Sequence, residues 1–375
     1  MFPGQGSQSM GMGGTLFDEF KELTREADEV LGYSIKELCL EDPRQELNKT
    51  QFTQPALYVV NALSYAKKVA QTGRKPDYVV GHSLGEFNAL LAAECFDFRT
   101  GLKLVQKRGQ LMGQVSNGGM AAILNASKEE IEATLTRHGL TNLDLANYNT
   151  PSQIVISGHA AEIARAQPLF ETGTMLYYPL NTSGAFHSRF MQTAKEEFGT
   201  FLSLFEFADP KIPVVANVTA RPYQSGRIHE ALSAQIDSTV RWSESIQYLM
   251  ARGKSSNDPM EFEEVGHGDV LTRLFETIKR QTTPASLSAY LQEMRPSAFD
   301  APGQRKRTAA EEKVIAWNQQ YPIGTKVEST LMGYEQLQTR TEAVVLFGHR
   351  AAVYMKGYNG YFDLNEIKPA AAAGK

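Results

Sequence analysis

The residue of this sequence best placed to react is a serine between two glycines, in Gly81-His82-Ser83-Leu84-Gly85. The apolar run Tyr78-Val79-Val80 leads into it and Phe87-Asn88-Ala89-Leu90-Leu91-Ala92-Ala93 leads away, so the pattern predicts strand, sharp turn and helix. Such a turn exposes a serine Oγ at the carboxyl end of a strand, and the helix after it aims its first amides and its positive dipole end at the same spot. Further along, the loop Ser183-Gly184-Ala185-Phe186-His187-Ser188 offers His187 as a base. Near the N-terminus, Phe2-Pro3-Gly4-Gln5-Gly6-Ser7-Gln8 lacks β-carbons at Gly4 and Gly6, which lets the Gln5 amide approach a ligand closely. Ser9 stands where a dinucleotide fingerprint needs a third glycine. Together these parts suit acyl transfer: Ser83 attacks a thioester carbonyl, His187 takes its proton, and the amides of Gln5 and Leu84 receive the oxyanion. The group that orients His187 stays open between Glu264, Asp269 and a backbone carbonyl of the loop Gly266-His267-Gly268.

The elements that must position these residues are legible on either side. The N-terminal loop precedes a helix with Leu16, Phe20, Leu23 and Ala27 on one face, and would need a strand ahead of it, so a few residues are expected before Met1. A buried helix over residues 51–70 starts at Pro55, Pro76-Asp77 opens the strand before Ser83, and residues 101–113 form a helix with Lys103, Lys107 and Arg108 among its charges. Residues 120–180 run strand, helix, strand, strand, helix, strand, with the capping box Ser127-Lys128-Glu129-Glu130 opening the first helix. That order predicts a ferredoxin-like domain inserted into a larger α/β domain. A core strand at 213–217, a mostly helical stretch over 231–250, a strand from 262 ending in the glycine loop at 266–268 and a helix over 270–280 complete the larger domain.

The expected boundaries are residues 1–115 and 184–281 for the large domain, 116–183 for the insert, and 282–310 for a linker rich in Pro and small polar residues, with one short helix at 287–294. Short strands at 325–330, 341–347, 351–355 and 361–364, a turn at Gly348-His349-Arg350 and a hairpin signal at Asn359-Gly360 predict a small SH3-like β-barrel over 311–369, before a disordered tail at 370–375. A formal net charge of −4 over 375 residues, with Arg305-Lys306-Arg307 as the longest basic cluster, argues against a nucleic-acid partner. No apolar run reaches the roughly 18–20 residues that span a bilayer, and no leader pattern opens the chain. Cys39 and Cys95 stand alone in apolar sequence, as in a reduced, cytoplasmic protein.

Taken in order, Phe2-Pro3-Gly4-Gln5-Gly6-Ser7-Gln8, Gly81-His82-Ser83-Leu84-Gly85-Glu86, Lys107-Arg108-Gly109, Asn147-x-Asn149-x-Pro151, Ala185-Phe186-His187-Ser188 and Glu264-Val265-Gly266-His267-Gly268 resemble the successive motifs of malonyl-CoA:acyl carrier protein transacylases, over Met1 to about Arg280. Within that family the chain is most similar to free-standing acyltransferases that serve modular polyketide synthases in trans. The resemblance implies an α/β-hydrolase-like large domain with the ferredoxin-like insert and an active site in the cleft between them. It implies that Arg108 holds the malonyl carboxylate, a task suited to a planar guanidinium that binds both oxygens. It also implies that Phe186 and Leu84 favour malonyl over methylmalonyl. The implied reaction is ping-pong, from malonyl-CoA through malonyl-Ser83 to the phosphopantetheine thiol of an acyl carrier protein, with polyketide synthase modules as further partners and no metal or cofactor. A clearing hydrolase for stalled acyl groups, a non-catalytic scaffold and the same transfer in fatty-acid synthesis are the competing readings. The C-terminal barrel lies outside the family pattern; Arg340, His349, Arg350, Tyr358 and Tyr361 could form a docking face, or its aromatics could be the core of a stabilising appendage.

Overall fold

Two pairs of valines lie at the centre of the first half of the molecule. The computed structural model describes residues 1–182, 184–256, 260–294, 309–330, 337–346, 350–357 and 361–370, and the chain divides into two units, Met1–Met294 and Arg295–Lys375. The first unit opens with helices α1 (Leu16–Glu19), α2 (Lys21–Leu31), α3 (Ile35–Leu40) and α4 (Thr50–Thr72), then strand β1 (Val79–Val80), α5 (Gly85–Ala92) and α6 (Phe98–Gln114). Strand β1 runs parallel to β6 (Val214–Val215), Val79 facing Val214 and Val80 facing Val215, and Phe2 adds a parallel bridge to Gly81. Side chains alternate along a strand. Val79 and Val214 therefore enter a core with Leu57, Phe87, Leu90 and Phe198, whereas Val80 and Val215 enter a second core with Val240, Trp242, Ile246 and Leu271. Burial on both faces explains why the strand is wholly apolar. Only glycine fits where it ends, because a Cβ on Gly81 would collide with the backbone of Gly85.

The insert comprises β2 (Gly118–Leu124), α7 (Lys128–Arg137), β3 (Leu143–Thr150), β4 (Gln153–His159), α8 (Ala160–Phe170) and β5 (Leu176–Pro179). Its strands form an antiparallel sheet in the order β3-β4-β2-β5. Ala121, Ile123 and Ile156 face a core of their own with Ile131, Ile163 and Phe170, while Met120, Ala122 and Val155 on the other face join the main core. The capping box at Ser127 forms with Glu130. Helices α9 (Gln192–Leu202), α10 (Ile228–Gln235), α11 (Trp242–Ser256), α12 (Val270–Gln281) and α13 (Pro284–Met294) complete the unit.

Several expectations change. The first predicted helix breaks at Phe20, whose φ of −116° and ψ of 55° separate α1 from α2. Helix α4 starts at Thr50 and takes Pro55 inside it; the Thr53 hydroxyl anchors the start, donating to the carbonyls of Leu47 and Lys49 at 2.6 and 3.1 Å. The predicted helical stretch over 231–250 is two helices, because Val240 is drawn into extended pairing with β3: its amide donates to Ala146 and its carbonyl accepts from Tyr148. Residues 262–266 form no strand; Val265 gives one backbone bond to the Met1 carbonyl. The expected linker also starts too early. Helix α13 begins at Pro284, buries Leu287, and is held where the Arg221 guanidinium lies over the rings of Tyr248 and Tyr290 at 5.1 and 4.9 Å.

The second unit contains α14 (Ala309–Gln320), which the sequence reading lacked, and β7 (Lys326–Ser329), β8 (Leu337–Gln338), β9 (Val344–Leu346), β10 (Arg350–Tyr354), β11 (Tyr361–Asp363) and β12 (Ile367–Pro369). They form two antiparallel sheets, β12-β7-β8 and β11-β10-β9, around Trp317, Val327, Leu337, Val353, Met355, Phe362 and Ile367. The expected turn at Gly348-His349, Tyr358, the hairpin signal at Asn359-Gly360, Ser183 and the tail from residue 371 lie outside the described residues. Among the described residues no helix is long and apolar enough to cross a membrane.

The two units have separate cores, so a chain ended after Met294 is expected to keep the first unit intact. Ending it after Gln281 removes the burial of Leu287 and the Arg221 contact with Tyr290, a loss of about 2 kcal/mol or more. Thermal melts followed by circular dichroism should place the shorter chain several degrees below the longer one.

Candidate active site

The elbow after β1 brings the Ser83 Oγ to 2.8 Å from His187 Nε2. Asn217 and Gln235 fasten its backbone. The Ser83 amide donates to Asn217 Oδ1 at 2.7 Å, Asn217 Nδ2 donates to the Gly81 carbonyl at 2.7 Å, and Gln235 Nε2 donates to the Ser83 carbonyl at 2.9 Å. Both residues have left-handed backbone, with φ of 49° at Ser83 and 57° at His187, a conformation that side chains other than glycine adopt at a cost. His187 Nδ1 lies 2.8 Å from the backbone carbonyl oxygen of Gln235. A carbonyl can only accept, so Nδ1 carries the hydrogen and Nε2 turns its lone pair to the serine hydroxyl.

None of the orienting groups considered from sequence fills this role. Glu264 caps α12 by accepting from the amides of Leu271 and Thr272, Asp269 pairs with Arg273, and His267 in the glycine loop meets Ser9 Oγ at 2.7 Å. The Gln235 carbonyl is available because α10 stops there. In a continuous helix it would bond the amide four residues on. His187 is buried, and burial first and the Arg108 cation second push its pKa down to about 3. The imidazole is therefore neutral and able to accept a proton.

Arg108 is 1 % exposed, although Lys103 on the same helix is exposed. Its Nη1 donates to Gln54 Oε1 at 2.8 Å, and its Nη2 donates to Gln235 Oε1 at 2.8 Å and to Ser83 Oγ at 3.0 Å. The Phe87 ring lies 5.7 Å away, and among the described residues the buried Nε has no partner. Every acceptor around it is neutral. Burial pushes its pKa down to about 9, which leaves it charged at neutral pH beside Ser83, with capacity for an anion.

The N-terminal loop lies on the elbow. A Cβ on Gly4 would strike the His82 carbonyl, and one on Gly85 would strike that of Phe2. The amides of Gly85, Glu86 and Phe87 bond back to His82, Ser83 and Leu84; among the described residues those of Gln5 and Leu84 have no protein acceptor. The Leu84 side chain is buried in the main core, so only its backbone faces the chemistry. Phe186 is also in that core, its ring folded over Gly184. A cleft of about 800 Å³ reaches His187 past Leu143, Tyr148, Gln192 and Thr239. Among the described residues no cluster of three metal-binding side chains occurs.

Sequence reasoning missed Gln54, Glu86, Asn217 and Gln235 as site residues. Asn217 carries a faint signal, a polar residue at the carboxyl end of a core strand. Gln54 and Glu86 are polar residues beside apolar runs, a signal they share with Asn61 and Asn88 on the same helices. Gln235 carries none. Asn149, quoted as part of a motif, bonds His82 Nε2 through its Oδ1 at 2.9 Å.

The acyl transferase domain family matches residues 1–298. The chain is 59% identical over 282 residues to the polyketide biosynthesis malonyl CoA-acyl carrier protein transacylase PksC of Bacillus subtilis, covering 75% of this chain and 96% of that one. A crystal structure of malonyl CoA-acyl carrier protein transacylase from Burkholderia pseudomallei superposes with a TM-score of 0.75 at 62% identity, over 76% of this chain and 98% of that one. A malonyl-transacylase in complex with its type II PKS acyl-carrier protein superposes with a TM-score of 0.70 at 32% identity, over 78% of this chain and 98% of that one.

An ordinary imidazole loses its basic form as pH falls through about 6.5. With its pKa depressed, His187 stays neutral below that point, so the rate of Ser83 acylation by an activated ester is expected to stay level down to about pH 5. Arg108→Ala removes a cation that opposes protonation and should move the acid limb upward. A limb near pH 6.5 in the unaltered protein would contradict the assigned environment.

Proposed function

We infer the function of this chain from the acyl transferase domain family, to which it belongs, and from the contact of a serine–histidine pair with a buried cation. It is an acyltransferase that moves malonyl from malonyl-CoA to the phosphopantetheine thiol of an acyl carrier protein, as the names of its relatives describe for them. Its likeness to the Bacillus subtilis protein assigns that activity to extender-unit supply in polyketide synthesis, with synthase modules as further partners.

The observation that carries the reading is Arg108, whose Nη2 lies 3.0 Å from Ser83 Oγ while its Nε is unpaired among the described residues. The cation would hold the free carboxylate of malonyl and set the thioester carbonyl at Ser83. Ser83 Oγ gives its proton to His187 Nε2 and bonds to the carbonyl carbon. The oxyanion is received by the amides of Gln5 and Leu84, preorganised donors of a kind each worth about 10²–10³ in rate. Collapse expels the coenzyme A thiolate, which takes the proton from His187. In the second half the carrier's thiol gives its proton to His187 and attacks malonyl-Ser83, and the proton returns to Ser83 as its ester is broken. Phe186 and the bulk of the pocket favour malonyl over branched homologues in this reading.

We read the first unit as an α/β-hydrolase-like domain with a ferredoxin-like insert, which the strand order β3-β4-β2-β5 supports. The two small antiparallel sheets of the second unit support an SH3-like barrel. Its place of action is read as the cytoplasm, where the free thiols of Cys39 and Cys95 stay reduced.

Two substitutions test this. Ser83→Ala should yield no malonyl adduct by intact-protein mass spectrometry. Arg108→Ala should lower kcat/KM for malonyl-CoA by about 10²- to 10³-fold, the cost of removing one partner of a buried charge pair, with far less effect on acetyl-CoA. An unchanged preference for malonyl would overturn the role of Arg108.

A further inference from the structure

Glu86 is a buried carboxyl that the mechanism above does not use. It lies in the first turn of α5, 1 % exposed, and every neighbour that touches its oxygens is a donor. Oε1 accepts from the Tyr223 hydroxyl at 2.6 Å and from the Asn217 amide at 3.2 Å. Oε2 accepts from Gln235 Nε2. Those donors, with the Arg108 cation behind them, favour the ionised form against burial, which pushes the pKa of Glu86 up to about 7.

The Gln235 side chain is therefore held one way round. Both hydrogens on Nε2 are committed, to Glu86 Oε2 and to the Ser83 carbonyl, so its Oε1 faces Arg108 Nη2 at 2.8 Å. Turned over, the amide would set its NH2 against the guanidinium and its oxygen against two other oxygens, which neither contact tolerates. A carboxylate in direct contact with Arg108 would neutralise the fork and compete with any carboxylated ligand. With an amide between them, the Glu86 carboxyl fixes the geometry and leaves the cation open.

We propose that Glu86 is a positioning residue that, through the Gln235 side chain, fixes the pose in which Arg108 receives the carboxylate of the acyl group. The proposal rests on the reading of Arg108 given above. It makes Glu86 a determinant of the preference for carboxylated acyl groups, without contact with them.

The experiment compares kcat/KM for malonyl-CoA and acetyl-CoA in Ser83 acylation, read by intact-protein mass spectrometry at short times. In Glu86→Gln the side chain keeps its volume, but its amide can pair with Gln235 in either sense. The ratio of malonyl to acetyl should fall about tenfold, the scale of one hydrogen bond to a charged group. A purely structural role would lower both substrates together and leave the ratio unchanged, which overturns the proposal. Gln235→Met, which keeps the backbone carbonyl for His187, should lower the ratio itself; an unchanged ratio there overturns the proposal even where Glu86→Gln does not fold. In the double variant the ratio should fall no further than in Gln235→Met alone, whereas a further drop of about tenfold would mean independent roles and count against the relay. If Arg108→Ala also keeps the ratio, the Arg108 reading has failed; if it loses the ratio and Glu86→Gln does not, only the relay has.

Discussion

The Arg108 cation is buried with no carboxylate in salt-bridge contact among the described residues, and the arrangement of the site answers to that constraint. A charge taken out of water costs several kcal/mol unless it is well solvated by its surroundings. Here the solvating groups are two glutamine amide oxygens and a serine hydroxyl, brought from α4, α10 and the elbow. Each of these elements has a second duty. Gln54 sits in the helix that packs under the N-terminal loop, Gln235 ends the helix whose last carbonyl meets His187, and Ser83 is the proposed nucleophile. The cation's solvation shell thus shares Ser83 Oγ with the proposed chemistry and draws its other two oxygens from elements that hold the site together.

Gln235 shows how economical this is. Its carbonyl sets the tautomer of His187, its amide nitrogen fastens the backbone of Ser83, and its amide oxygen receives Arg108. None of this would survive if α10 continued into α11. The interruption is imposed from outside the helix, by the extended pairing of Val240 with β3 of the insert. A sheet whose strands contribute few side chains to the site therefore sets the geometry of His187.

The serine and histidine that the structure brings together were legible in the sequence because candidate chemistry and backbone constraint coincide there. Ser83 is flanked by glycines that the close approach of Gly81 to Gly85 demands, and the strand before it is apolar because both faces are buried. Arg108 became visible only through motif resemblance, since on α6 its helical spacing is no different from that of the solvated cations. Gln235 stayed hidden for a physical reason: helix ends are readable when glycine, proline or a cap marks them, and here a long-range strand contact does the work. The same holds for α13, whose Pro284 reads as a linker but opens a helix that the Arg221 stack holds in place. Strands β7, β9, β10 and β11 of the second unit were visible as short apolar runs between turn signals, while β8, β12 and the helix before them were not.

Ser83 and His187 both hold left-handed backbone, and they come from segments anchored in different places, one at the end of β1 and the other in the loop that leaves the insert. Backbone strain of this kind is kept only while neighbours over-determine it, and local opening proceeds first where its relief contributes. Warming is then expected to separate Ser83 from His187 while the valine cores are still closed, so that activity fades before the fold melts.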